Sequence, residues 1–341
     1  MASHRRPKQP SRTRATVLTA TAAAAVALSA HSASADPKPT KEEVKAQVDK
    51  LYEEAEQATE KYNGAKSRQE QLEKEVGGLQ DKVARGQADL NKLRDGLGSM
   101  ATAQYRSGGI DPSVQLLLSS DPDDYLDKAS TLDQVSSKQA GALKKIGEQT
   151  RTLEQQRSEA TTKLKDLAAT RKALGEKKAE IQGKLAKAQQ LLNTLTTEER
   201  EALAAKEQER ADRSSERVEL GKDVPQSGRA AAALAAAQTK IGSPYVWGAT
   251  GPSSFDCSGL TSWAYAQAGV DLDRTSQQQV NNGTRIGRGE LKPGDLVFFY
   301  SDLHHVGLYA GNGQVLHAPK PGANVRYESM DNMPFMFGVR V

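Results

Sequence analysis

The chain has little of what one large globular core requires. Only 37% of its 341 residues are hydrophobic and only 5% are aromatic, which is too lean for a single core built from the whole length. Both tryptophans and all five phenylalanines lie after residue 240. A compact domain is therefore expected at the C-terminal end, and the residues before it need another kind of order.

Cysteine is almost absent. A single residue, Cys257, means that no intramolecular disulfide can form, so its thiol is an inert packing group, an intermolecular bridge or a nucleophile.

The net charge of the chain is small as well. The formal value of +4 includes a basic N-terminal leader, so charge gives little reason to expect nucleic acid as a partner.

Long hydrophobic runs are also missing. The apolar stretch 17–30 covers about 14 residues, short of the ~20 that cross a bilayer as a helix. It follows a cluster of basic residues and precedes Ala33-Ser34-Ala35, which is the order of a secretory signal peptide and its cleavage site. We predict that residues 1–35 are a cleavable export signal, with an uncleaved N-terminal anchor as the alternative.

The first half of the chain does contain a heptad repeat. Alternate steps of four and three from Val44 to Met100 reach seventeen positions, of which fifteen are apolar. The residues around them are mostly lysine, glutamate, aspartate and glutamine. A seam sustained over eight heptads predicts a long coiled-coil helix.

The heptad pattern breaks and then resumes. Glycines and prolines fall at 107–112 and 121–122, where they should end the helix and allow the chain to reverse. A second seam runs from Leu143 to Leu195, and twelve of its sixteen positions are apolar. Three basic residues interrupt one side of this seam: Arg157, Arg171 and Lys178.

These patterns predict the domain organisation of the chain. Residues 36–217 are expected to form an antiparallel helical hairpin, followed by a linker at 218–229 and a compact domain at 230–341. The hairpin is either a spacer or a regulatory and docking element, since polar seam residues weaken a coil and permit rearrangement. It could also pair two chains into a homodimer.

The compact domain places its cysteine at a reactive position. The segment 242–256 is rich in glycine and proline and leads into a helix that opens near Cys257. The positive end of a helix dipole lowers the pKa of a thiol toward the reactive thiolate. This placement favours a nucleophile over an inert packing residue.

Three β-rich runs follow, at 294–300, 305–310 and 314–318, and their tight turns predict an antiparallel sheet. All three histidines outside the leader fall in this region: His304, His305 and His317. A base and its orienting partner would need this concentration. Adjacent strand residues point to opposite faces, so only one of His304 and His305 can address the thiol, and the spacing from the following Gly-x-Tyr selects His305.

The segments PYVWGATGPSSFDCSGL, GDLVFF, HVGLYAGNG and VLHA resemble, in order and spacing, the NlpC family of papain-like cell-wall peptidases. The resemblance covers about 110 residues and implies an α+β fold, with an antiparallel sheet packed on N-terminal helices. It implies Cys257 as nucleophile, His305 as general base and then acid, and His317 as the residue that orients His305.

The same resemblance assigns three further residues. Tyr245 matches a tyrosine beside the nucleophile, near the oxyanion site, while Asp256 and Ser258 match positions that flank the cysteine and, in some members, bind the substrate amine. Arg274 also falls in a matching stretch, with a structural role. The implied reaction is hydrolysis of the γ-D-glutamyl–diamino acid amide in peptidoglycan stem peptides, without a metal or an organic cofactor.

The hairpin itself resembles the coiled-coil halves of bacterial cell-division hydrolases. That likeness implies an exported or wall-associated enzyme restrained by its arm until a membrane partner, such as an FtsX-like transporter, engages it. Three other functions stay open at this point: an amidase or acyltransferase of the same clan, a non-catalytic wall scaffold, and a surface adhesin.

Overall fold

The computed structural model describes residues 39–106, 114, 122–216, 225 and 227–341. The predicted export signal, the turn between the two long helices and most of the predicted linker lie outside these residues. Among the helices that are described, none combines the length and the apolar character needed to span a membrane.

Two long helices form the arm. Helix α1 (Lys41–Arg106) and helix α2 (Pro122–Leu192) pack along each other, and α3 (Thr197–Glu216) follows after a short turn. At ~1.5 Å per residue, α1 is about 100 Å long. The pairing is antiparallel, because Lys184 late in α2 contacts Glu54 early in α1, whereas Arg157 earlier in α2 contacts Gln87. The predicted hairpin is therefore present.

The arm buries one of the two predicted seam positions of α2. Leu153, Leu167 and Ile181, spaced two heptads apart, are buried against α1. The three basic residues predicted to interrupt the seam are exposed, and Arg157 and Arg171 extend to polar side chains of α1. The three basic residues occupy the other seam position of α2, which lies at the edge of the interface, whereas α1 buries residues of both its seam positions, among them Val76 and Leu79.

The C-terminal domain begins with helix α4 (Gly228–Gln238), two residues before the predicted start. Ser227 caps this helix by accepting the amide N–H of Ala230 at 3.1 Å. Helices α5 (Cys257–Gln267) and α6 (Ser276–Gln279) follow. The predicted helix that opens near the cysteine is α5.

A six-stranded antiparallel sheet completes the domain. Its strands are β1 (Thr284–Ile286), β2 (Leu296–Phe299), β3 (His305–Gly311), β4 (Gln314–His317), β5 (Arg326–Ser329) and β6 (Phe335–Arg340). They lie in the order β1-β6-β2-β3-β4-β5. The three strands predicted from the sequence are β2, β3 and β4, and the expected α+β fold is confirmed.

Both faces of the central strand β2 are buried. Leu296 and Phe298 pack with the helices α4 and α5 in the main core, whereas Val297 and Phe299 belong to a smaller cluster on the other side. The alternation follows from the two-residue period of a strand. Helix α5 also packs on β3, so the first residue of α5 and the first residue of β3 are neighbours.

Candidate active site

Cys257 is the first residue of helix α5. Asp256 caps the helix by accepting the N–H of Gly259 at 2.7 Å, which places the thiol at the N-terminus, as the sequence predicted. The thiol is only 1% exposed, and its Sγ lies 3.6 Å from the carbonyl oxygen of His304.

His305 and His317 form a direct pair beside the thiol. Nε2 of His305 lies 2.7 Å from Nδ1 of His317, and both residues are 1% exposed. A ring nitrogen of His305 also lies within 4.8 Å of the Cys257 Sγ. Since Nε2 is engaged by His317, Nδ1 is the atom of His305 that is left to serve the thiol.

Helix α1 inserts a carboxylate into this catalytic pair. Glu56 hydrogen-bonds to Nδ1 of His305, the atom that would have to accept the thiol proton. Glu56 is only 5% exposed, although glutamate is rarely buried without a partner. Burial alone would lower the pKa of His305, but the neighbouring Glu56 carboxylate raises it above its usual value.

A second α1 carboxylate, one helical turn further on, lies over the cysteine. Glu60 accepts the backbone N–H of Ser276 at 2.6 Å, the Ser276 hydroxyl at 2.9 Å and the Ser258 hydroxyl at 2.8 Å, and its Oε1 is 3.9 Å from the Sγ of Cys257. Burial, followed by the charge of Asp256, raises the pKa of Glu60 to about 7. The carboxylate therefore occupies a polar pocket beside the nucleophile.

Asp256 organises the residues that flank the cysteine. Arg274 pairs with its carboxylate at 2.6 Å and donates to the Ser258 hydroxyl at 2.8 Å, so the structural role expected for Arg274 is to hold both flanking residues. Asn63 of α1 also donates to Asp256, at 3.0 Å. A third turn of α1 is thereby bound to the same cluster.

The thiol of Cys257 is not activated in this arrangement. Burial, and then the charges of Glu60, Glu56 and Asp256, raise the pKa of the Cys257 thiol well above its ordinary value. The sequence predicts a lowered pKa from the helix dipole. The difference arises because burial outweighs the dipole, and because two of the three carboxylates, Glu60 and Glu56, come from nearly two hundred positions away in the chain.

Two of the remaining sequence candidates lie nearby. Tyr245 is buried, its hydroxyl has no hydrogen-bond partner within the described part of the chain, and burial, with smaller effects from Glu56 and Cys257, raises its pKa well above the usual value. The His304 ring is turned away from the thiol, because it bonds to Asp302 at 2.5 Å and stacks on Tyr300. The geometry thus favours His305 over His304, as the strand argument does.

One group of side chains in the described residues has the spacing of a metal site. The ligand atoms of Glu56, Cys257 and His305 all lie within 4.8 Å of one another. The direct hydrogen bond between Glu56 and His305 fills the space that a cation would need between those two groups. The arrangement therefore fits a hydrogen-bonded cluster better than an ion site.

Sequence reasoning missed the α1 residues that enter the site. Glu56, Thr59, Glu60 and Asn63 recur at the spacing of one helix face and are all buried. In a charged coiled coil, a polar stripe of this kind is the ordinary pattern of a solvated surface. Only the knowledge that α1 buries a second face would have distinguished this polar stripe from a solvated surface.

Comparison with known proteins places the domain in a family. Residues 242–337 match the NlpC/P60 family. A "probable endopeptidase" of Corynebacterium glutamicum is 52% identical over 116 residues, which is 34% of this chain and 56% of that protein. The "probable endopeptidase p60" of Listeria monocytogenes is 48% identical over 99 residues, or 28% of this chain and 20% of that one.

The matched region also has counterparts among solved structures. The NlpC/p60 domain of the peptidoglycan hydrolase SagA is 41% identical and is aligned over 33% of this chain and 98% of that one, with a TM-score of 0.32. The chain spans little more than half the length of the Corynebacterium relative. The residues that match the family include Cys257, His305 and His317, and this C-terminal domain belongs to the NlpC/P60 family.

Proposed function

We propose that the protein is a peptidoglycan endopeptidase that cleaves the γ-D-glutamyl–diamino acid amide of stem peptides, and that its arm holds the site closed. The observation that carries the proposal is the buried group of Cys257, His305 and His317, with Glu56 of α1 bonded to Nδ1, the nitrogen of His305 that His317 leaves open. The names of the relatives support the endopeptidase activity.

The catalytic steps follow from the placement of the two reactive groups. Once α1 has left, Nδ1 of His305 takes the proton of Cys257, and the thiolate attacks the carbonyl carbon of the γ-D-glutamyl amide. The imidazolium then protonates the leaving amine, and a thioester to Cys257 remains. Water, deprotonated by His305, hydrolyses the thioester, which releases the carboxylate and restores the thiol.

The closed state blocks this sequence in three ways. The Glu56 carboxylate occupies the proton-accepting atom of His305, the raised pKa keeps the Cys257 thiol protonated, and helix α1 covers the place where the scissile amide must lie. Glu56 bonds to His305, and Glu60 accepts the Ser258 and Ser276 hydroxyls. These hydrogen bonds to charged groups stabilise the closed state.

The experiment uses the full chain and purified peptidoglycan, with soluble products identified by mass. We expect Glu56→Ala combined with Glu60→Ala to release fragments cut after γ-D-glutamate at least tenfold faster than the natural chain, and a further Cys257→Ala change to abolish release. Glu70→Ala is the matched control, because Glu70 lies on the exposed face of the same helix.

Each outcome separates one part of the proposal from another. Because Cys257 is the only cysteine, its alkylation by iodoacetamide measures opening independently of catalysis. Equal alkylation in the natural chain and the double variant would refute the arm as an inhibitor. Fast alkylation of the double variant without cleavage would favour a wall-binding scaffold, and release of the L-alanine amine would identify an amidase.

An agent that binds the released arm better than the closed arm would shift the protein toward the open state. We propose that this agent is a membrane partner of the FtsX-like class acting on an exported protein that is secreted or associated with the wall. We base the docking role on the far end of the arm, where Tyr105 and Leu126 are 83% and 65% exposed and offer apolar surface to a partner. A homodimer through the arm stays a prediction of the heptad pattern.

A further inference from the structure

Strand β5 places a carboxylate behind the histidine pair. His317, the last residue of β4, is directly paired with Arg326 of β5, and Glu328 lies two residues further along β5, on the same face of the sheet. The Glu328 Oε2 is 3.5 Å from Nε2 of His317. Glu328 is 7% exposed in the closed protein, where Arg210 of α3 covers part of its carboxylate.

The charge state of both groups is set by their surroundings. Burial would raise the pKa of Glu328, but His317, Arg326 and Arg210 together lower it far below its usual value. Burial lowers the pKa of His317 to about 4. Near neutral pH, an ionised carboxylate therefore faces a neutral imidazole, which carries a single N–H.

That single N–H decides whether His305 can act as a base. If it sits on Nε2 of His317, it donates toward Glu328, and Nδ1 of His317 is free to accept Nε2–H of His305. Neutral His305 then has its lone pair on Nδ1, facing the thiol. If the proton sits on Nδ1 of His317 instead, the bond between the rings reverses, and neutral His305 carries its proton on Nδ1, where it cannot accept another.

We propose that Glu328 is a positioning residue of the peptidase site: it accepts the Nε2 proton of His317 and thereby fixes the tautomers of both histidines. The inference rests on the proposed peptidase function. The alternative tautomer would aim a lone pair of His317 at the carboxylate, an unfavourable contact inside the domain. Glu328 does not reach the thiol, so it acts only through His317 and His305.

In the closed protein, three other residues also donate hydrogen bonds to the Glu328 carboxylate. Its Oε2 accepts Arg326 Nη2 at 2.9 Å and Nε at 3.2 Å, and its Oε1 accepts Arg210 of α3 and Asn332. The 3.5 Å separation from His317 is longer than a strong hydrogen bond. Helix α3 therefore binds the same carboxylate that orients His317, and this contact links the arm to the active site at a second point.

The kinetic test compares variants in the opened full chain, with Glu56→Ala and Glu60→Ala as background. We expect Glu328→Gln to lower kcat by about 10- to 100-fold with KM nearly unchanged; loss of an acceptor directly on the catalytic imidazole costs ~10⁴, and Glu328 is one ring further away. Its charge also raises the pKa of His305. The limb of the pH profile that His305 controls should therefore move to lower pH, and Glu328→Asp should restore part of that shift.

The matched control is Glu290→Gln, which changes the other glutamate of the C-terminal domain. It should leave kcat and the pH limbs in place. A Glu328→Gln variant that loses kcat equally at every pH, and whose domain melts earlier, would show a structural role and overturn the proposal. A variant with the kcat of the control would overturn it as well.

A spectroscopic readout makes the test independent of activity. In the opened full-length chain, with Glu56→Ala and Glu60→Ala, labelled with ¹⁵N-histidine, only five histidines contribute. His317 should there be the Nε2–H tautomer and should shift toward Nδ1–H in Glu328→Gln. An unchanged tautomer would refute the inference. If the opened chain with Glu328 intact fails to cleave peptidoglycan while the tautomer still shifts, the proposed substrate is wrong and the positioning role stands.

Discussion

At the scale of single residues, the closed site depends on how Glu60 binds protons. Its neighbours are Asp256, Arg274, Cys257 and the hydroxyls of two serines, and burial together with Asp256 raises its pKa to about 7, from an ordinary 4.3 or so. The closed state therefore holds a proton that the open state releases. Closing is most favourable below the ordinary pKa and loses free energy as the pH rises toward 7.

The prediction is that raising the pH opens the natural chain. Between about pH 4.5 and 7 the contribution of Glu60 to the opening constant should rise on the order of a hundredfold, since each pKa unit corresponds to tenfold. Glu60→Gln removes the titrating group and should flatten this rise. The measurement is the ratio of Cys257 alkylation rates in the two proteins at each pH, because thiol ionisation is common to both. A constant ratio would contradict the role of Glu60.

At the level of single residues, the sequence predicts the catalytic groups better than it predicts the residues that regulate them. Cys257 could be placed at a helix N-terminus because glycine and proline end before it, and His305 and His317 because strands and turns surround them. Glu56 and Glu60 could not be found. Their function comes from a contact with residues far along the chain, and their spacing is that of any exposed helix face.

At the scale of the arm, the heptad pattern predicts two buried positions on each helix, and α2 buries mainly one of them. Leu164 and Leu167 both belong to the predicted seam of α2. Leu164 is 45% exposed, whereas Leu167 is 6% exposed. The basic residues of the seam mark this difference, because Arg157, Arg171 and Lys178 share the heptad position of Leu164 and not that of Leu167.

This pair of leucines gives a matched prediction. Leu167→Ala should lower the stability of the arm by about 2–3 kcal/mol, from lost apolar burial and the cavity left behind, while Leu164→Ala should cost less than about 1 kcal/mol. Urea unfolding followed by circular dichroism at 222 nm measures both. Equal losses would indicate that the second seam position is buried too, as it would be in a homodimer of arms.

At the scale of the whole molecule, two sets of contacts hold the arm against the domain. One is the plug, formed by Glu56, Glu60 and Asn63 of α1 in the active site, and the other is a group of ion pairs. Lys320, in the loop after β4, contacts Asp49 of α1 at 2.7 Å and Glu207 of α3 at 3.4 Å. Glu207 also accepts Arg326 at 3.1 Å. One lysine therefore joins two arm helices to the segment that leads into β5, the strand that carries Glu328.

Loss of this lysine should loosen the closed state without disturbing the catalytic groups. Partly exposed ion pairs contribute ~0.2–1 kcal/mol each, so Lys320→Gln, which removes two, should raise the opening constant by about two- to thirtyfold. Lys240→Gln is the control, since Lys240 lies over the Trp263 ring in the same domain. The measurement is Cys257 alkylation at constant pH, scaled to the rate in the Glu56→Ala, Glu60→Ala protein, where the thiol is already accessible.

Salt provides an independent check on the same contacts. Added salt screens ion pairs that water can reach and leaves buried ones largely unaffected. Raising the salt concentration should therefore speed alkylation of the natural chain, and it should do so less in Lys320→Gln, because part of the screened attraction is already gone. The contact between Glu56 and His305 is buried and should persist. If salt acts equally on both proteins, the peripheral ion pairs do not hold the arm, and the plug of Glu56, Glu60 and Asn63 alone closes the site.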